Sequence, residues 1–182
     1  MIVQILLQLV LPVFLLAGLW TDRSGDRMQW LLKVLAAGAV LLFVFLTARW
    51  DFTSYYLRFA WPLLLVLAAV RSFLRIVPGT QARGASAPAV NAALFLGFMA
   101  LNAIALRGHV APGQALQLAF PLAGGTYYVG GGGNARLINN HRAHRPQRFG
   151  LDIVRLTVHG NRARALVPGR LEDHAIYGDT VH

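Results

Sequence analysis

The sequence predicts an α-helical membrane region of about four transmembrane helices followed by a small, incomplete all-β domain. Three observations predict it. Hydrophobic residues make up 56% of the 182 residues and charged residues only 13%, against about 25% charged in a soluble domain. The long apolar runs gather in residues 1–106, whereas every histidine falls in residues 107–182. Those two stretches are read as a transmembrane helical region and an extracytoplasmic domain. The chain has no cysteine, which excludes disulfides, thiolate metal sites and cysteine nucleophiles. Any metal here must be held by His, Asp or Glu.

The first span is Ile2 to Trp20, a run without a charged side chain and long enough at 1.5 Å per residue to cross a hydrocarbon core of about 30 Å. A cleavable signal peptide would need a basic leading segment and a small-residue cleavage site. Met1-Ile2-Val3-Gln4 and Gly18-Leu19-Trp20 supply neither, so a retained helix is expected. Further spans are placed at about 30–48, 57–74 and 89–106. The third is the least regular, because Arg58 and Arg71 narrow its charge-free stretch to Phe59 through Val70. Arginines at both ends can snorkel and Trp61 suits an interface, so four spans are counted, with three as the alternative.

Basic residues in short loops set the orientation. Arg23, Arg27 and Lys33 mark the first loop and Arg71, Arg75 and Arg83 the third, against Arg49 and Arg58 in the second. The odd loops are therefore expected in the cytoplasm and both termini outside, with the tail in the periplasm or beyond the cell. Three spans would reverse the tail. No Asp, Glu or His lies inside a span, which argues against a proton-coupled carrier. Asn91 and Asn102 in the fourth span, among small residues, read as interhelical packing and hydrogen bonding.

The tail changes period. Thr126 to Val129 is β-prone, Phe149 to Val158 reads as a strand, and Ala163 to Val167 looks like its hairpin partner across His159-Gly160-Asn161-Arg162, a segment with turn chemistry. In the long strand Asp152 shares a face with Val154, Leu156 and Val158 by the period of two. A carboxylate at the head of an apolar row needs an opposite charge, hydrogen bonds or a metal. Arg148 and Arg155 are the candidate ion-pair partners by sequence.

Gly130 to Ala135 formally fits G-x-G-x-x-A after a strand, but Asn139, Asn140 and Pro146 crowd the segment where a dinucleotide fold needs a helix. A wide turn or loop is expected instead. His141 and His144 lie three apart, yet Pro146 and the flanking arginines favour a loop. They gain interest with Asp152, since a catalytic zinc takes three protein ligands and keeps a place for water. Nine arginines in the tail outnumber its four acids. Such a basic segment suits an anionic lipid or envelope polymer; no nucleic acid is expected for a tail outside the cell.

Phe120 to Val129 with the glycine run, Leu137-Ile138-Asn139-Asn140-His141, Gln147 to Val154, and Leu171 to Val181 together resemble the opening of the lysostaphin-type (LytM-like) zinc metallopeptidase domain, peptidase family M-twenty-three, in its membrane-anchored bacterial branch. The resemblance covers residues 118–181. It implies a small antiparallel β-fold holding one zinc through a His and an Asp of an early motif and a His of a later H-x-H motif, acting on peptide cross-links of peptidoglycan. Asp152 matches the early aspartate. The histidine four positions before it is Arg148 here, so His141, in the Asn-x-His pattern, is the best substitute metal ligand and His144 the second choice. The H-x-H motif is absent from these residues, and a truncated, inactive copy is expected.

Two functions follow. One is a membrane-anchored zinc metallopeptidase-like protein of the bacterial inner membrane, related to peptidoglycan endopeptidases and inactive as it stands. The other is a noncatalytic membrane scaffold whose basic tail binds cell-envelope polymers or a partner protein. No catalytic residue is assigned.

Overall fold

The computed structural model describes residues 2–23, 25–77, 86–110, 113, 119–165 and 167–181. They divide into two compact units: one of residues 2–48 and 58–103, the other of residues 49–57 and 104–182.

The first unit is helical. Helix α1 (Ile2–Trp20) contains a π-helical turn over Leu6–Val10. Pro12 lies two residues beyond it. Proline has no N–H to donate one turn back, and the wider turn before it absorbs that break in the hydrogen-bond ladder. Helix α2 (Arg27–Thr47) begins at Asp26, whose carboxylate accepts the Met28 N–H at 3.0 Å, satisfying one of the orphan donors of a helix start. Helix α3 (Leu57–Phe73) forms over the expected third span but has 17 residues. Helix α4 (Ser86–Gly108) has Pro88 in its first turn, where the missing N–H costs nothing.

Three of these helices are long and apolar enough to cross a membrane: Ile2–Trp20, Arg27–Thr47 and Pro88–Gly108. Their packing is by small residues, with Ala36, Ala37, Ala39 and Val40 of α2 and Ala68 of α3 buried. Asn102 is buried and donates from Nδ2 to the Ala39 carbonyl at 3.0 Å, so one of the two asparagines of the fourth span does bond between helices. Trp30 of α2 donates to Ser72 of α3 at 2.9 Å and stacks tilted on Phe73. The outward surface is apolar: Phe14 of α1, Leu63, Val66 and Val70 of α3 and Leu96 of α4 are all more than half exposed. Helices apolar all round belong in lipid or in a larger core.

The second unit is built on a two-stranded antiparallel sheet of β1 (Tyr127–Gly131) and β2 (Asp152–Arg155). The register pairs Tyr127 with Arg155, Tyr128 with Val154 and Val129 with Ile153, then skips to pair Gly131 with Asp152. Gly130 is therefore the extra residue of a β-bulge, a device that bends a strand and re-aims its neighbours. Four single turns of 3₁₀ helix complete the unit, at Trp50–Phe52, Asn140–Ala143, Arg145–Gln147 and Leu171–Asp173.

Several expectations change here. The predicted strand 149–158 shrinks to Asp152–Arg155, because Gly150 donates to Gln147 in a turn before it and Thr157 donates to the Asn161 carbonyl after it. The turn at Gly160 does form, with φ of 76°, yet among the described residues it builds no hairpin between Phe149–Val158 and the segment from Ala163. Strand β2 pairs with β1, and Ala163 bridges to His174. Leu166, Arg83 and Leu118 lie outside the described residues. The boundary drawn between residues 106 and 107 falls inside the last turn of α4. The polar unit also takes in the loop between α2 and α3, which is held there by ion pairs.

The Asn102 hydrogen bond is expected to contribute about 1 kcal/mol, the scale of side-chain bonds between membrane helices. Asn102→Ala should lower stability by that amount in a denaturation titration in detergent micelles; no change would remove Asn102 from the packing account.

Candidate functional site

Asp51 follows the end of α2 by four residues and is completely buried. A buried carboxylate needs both charge and hydrogen bonds, and it receives them from two arginines. Arg49 grips it with two parallel bonds, Nε to Oδ1 at 2.9 Å and Nη2 to Oδ2 at 3.0 Å. Arg162 adds a longer contact at 3.7 Å and donates its backbone N–H to the Asp51 carbonyl at 2.9 Å. The guanidinium of Arg162 lies 3.7 Å over the Phe52 ring, which supports its charge from the other side.

Arg49 then reaches a second carboxylate. Its Nη1 is 3.3 Å from Asp152 Oδ2, while His141 Nε2 is 2.8 Å from Asp152 Oδ1. Hydrogen bonding to Asp51 raises the pKa of Arg49 further above its ordinary value, against the cost of burial, with the Asp51 and Asp152 charges adding to the effect. The guanidinium is a permanent cation in this cluster.

The glycine run makes room for this arrangement. A Cβ at Gly130 would fall 2.5 Å from Arg49 Nε, and one at Gly131 would fall 2.7 Å from Asp152 Oδ2. The bulge and its glycines serve close approach of backbone to an ion pair. No helix opens after them, since the next element is the 3₁₀ turn at Asn140, and a dinucleotide site has no footing among the described residues.

His141 is placed by Asn139, which is almost wholly buried. Asn139 Oδ1 accepts the His141 backbone N–H at 2.9 Å, and its Nδ2 donates to the carbonyls of Gly133 at 2.9 Å and Arg148 at 3.1 Å. One amide thus ties together the glycine turn, the histidine turn and the approach to β2. Loop 49–57 adds further ties: Ser54 donates to the His159 carbonyl at 2.7 Å, Tyr55 N–H to the Gly160 carbonyl at 2.8 Å, and the Tyr55 ring meets Tyr128 edge to face.

Of the expected metal ligands, His141 and Asp152 come together and His144 is exposed. Neither Arg148 nor Arg155 pairs with Asp152 in the described contacts: Arg148 lies over Phe149, and Arg155 pairs with Asp179. Among the described residues no three His, Asp or Glu side chains converge. A catalytic zinc needs three ligands and an open position, but here Asp152 carries a guanidinium on one oxygen and an imidazole on the other. These residues do not fit that ion. Arg49, Asp51 and Asn139 were not singled out by sequence reasoning. Asn139 had a signal in the Asn-x-His pattern; Arg49 lies 103 positions from Asp152 and had none.

Away from the cluster, Asp173 accepts the backbone N–H groups of Arg170 and Gly169, both at 2.9 Å. These bonds hold its pKa below the ordinary 3.8. A depressed carboxylate contributes stability above its unfolded pKa and loses it as pH falls through the folded value.

Comparison with protein-family models, with curated proteins and with solved structures finds no match.

Two outcomes are expected. Asp51→Ala takes the buried carboxylate away from two half-buried arginines, Arg49 keeping Asp152, and should cost about 1–3 kcal/mol, read as earlier chemical unfolding of the polar unit; a loss well under 1 kcal/mol would contradict the geometry. Acidification below the ordinary aspartate range should release the Gly169 and Arg170 amides, seen as a loss of their protection relative to the intrinsic exchange rate at each pH, and Asp173→Asn should remove that pH dependence.

Proposed function

We propose that this chain is a noncatalytic membrane scaffold of lysostaphin-type ancestry, whose basic unit faces the outside of a bacterial inner membrane and binds an anionic envelope polymer. One observation carries the reading: both oxygens of Asp152, the residue that matches the family's metal-binding aspartate, are engaged by Arg49 and His141. A carboxylate neutralised this way is a structural group. Arg136, Arg145, Arg148, Arg164 and Arg170 are exposed and supply a surface for polyanions. Peptidoglycan and its anionic attachments are the binding partners this reading names.

In this reading α3 is a fourth span. Its outward face carries Leu63, Val66, Leu67 and Val70, while Arg58 sits 4.1 Å over the Phe45 ring and Arg71 4.5 Å over the Trp20 ring, as snorkelling end residues would. Four spans put both termini on the same side. Of the all-β fold that the resemblance implies, β1 and β2 are the strands present among the described residues.

A second reading keeps zinc and peptidase chemistry. The 2.8 Å approach of His141 to Asp152 favours it, with the remaining ligands supplied by a partner protein.

The test is the purified full chain in detergent, assayed for zinc content, for sedimentation with peptidoglycan and for cleavage of it. The scaffold reading predicts little zinc, no cleavage, and binding that weakens steeply with salt. One tightly held zinc with cleavage lost in Asp152→Ala would overturn it in favour of the peptidase.

A further inference from the structure

We propose that Arg49 is the built-in cation of the His141–Asp152 pair and that its guanidinium keeps divalent metal out of that pair. The inference rests on the noncatalytic reading and names the residue responsible for it.

The guanidinium is fixed from three sides. Asp51 holds it with two bonds from a fully buried position, so it cannot swing away without stranding that carboxylate. Gly130 lies against it where no side chain would fit, and Asp152 receives Nη1. A flexible surface arginine that happened to meet an aspartate would need neither the buried anchor nor the glycine bulge. The placement is specified by the fold.

The charges then balance internally. Arg49 and Arg162 answer Asp51 and Asp152 one for one. A divalent ion between His141 and Asp152 would bring two further positive charges beside a guanidinium that cannot shed its proton. It would also have to displace Nη1 from Asp152 Oδ2 or share the carboxylate with it. With the guanidinium removed, the imidazole and the carboxylate are already within one ion's reach of each other, and they are the donor types that bind zinc or cobalt.

The test uses the full chain in detergent with Zn²⁺ or Co²⁺ alone as probe, read by calorimetry and by the visible spectrum of bound cobalt. Wild type and Arg49→Lys, which keeps the charge, should bind neither metal above background. Arg49→Met combined with Asp51→Asn removes the cation without stranding the buried acid, and should bind one metal about tenfold or more tighter than wild type. A further His141→Ala change should abolish that gain. Arg49→Gln, which retains an N–H donor for Asp51, is run alongside in case the double variant fails to fold, and the protection of the β1–β2 amides reports folding in each. Folded Arg49 variants that bind no more metal than wild type would overturn the role of Arg49 and leave the noncatalytic reading standing. One metal bound by wild type through His141 and Asp152 would overturn both.

Discussion

Asp51 has no access to water, and a carboxylate in that position is tolerated only when opposite charge and hydrogen bonds replace its hydration. That requirement organises the polar unit. It fixes Arg49 and Arg162, and through Arg49 it fixes the surroundings of Asp152. The bulge at Gly130 and the absence of side chains at Gly130 and Gly131 follow from the same demand, because the backbone of β1 must pass close to these charges. The short sheet has few strands to stabilise it. Ionic and amide ties from the loop 49–57 and from Asn139 hold what the sheet alone would not.

The helical unit obeys a different constraint. Its exposed surface is apolar, and its interior combines alanines and valines with Leu16, Leu19, Leu41 and Trp61 and a few polar contacts, the small residues allowing the close approach seen between helices in lipid. Polar residues are used sparingly and each one that bonds does so to a specific neighbour: Asn102 to a backbone carbonyl, Trp30 to Ser72.

How much was legible in the sequence divides along the same lines. Apolar runs of 19–21 residues with no more than two charged side chains announce themselves by composition, and α1, α2 and α4 lie where the hydropathy put them. Helix α3 is also placed, but its bounding arginines and 17 residues keep it short. In the tail, local β-propensity located β1 and β2, whereas it misassigned their pairing, since the choice between a nearby hairpin and a partner some 25 residues upstream depends on tertiary contacts. Asp152 stood out as an acid heading an apolar row, and it does have a charged partner. The identity of that partner was invisible, because Arg49 lies in a loop between two membrane-type helices and no periodicity links it to β2. The glycine run fits a dinucleotide pattern only formally and reads as a turn or loop; a phosphate site and an ion pair both need bare backbone near charge, and the neighbours tell them apart.

The account stands or falls on the coupling between Arg49 and Asp152. A double-mutant cycle of Arg49→Met and Asp152→Asn, with stability read from hydrogen exchange of the β1–β2 amides, measures it directly. The two changes should be non-additive by about 0.5–3 kcal/mol, the range for residues in one ionic network. Additive effects would mean that the two side chains do not share a site, and would contradict the arrangement on which the functional reading rests.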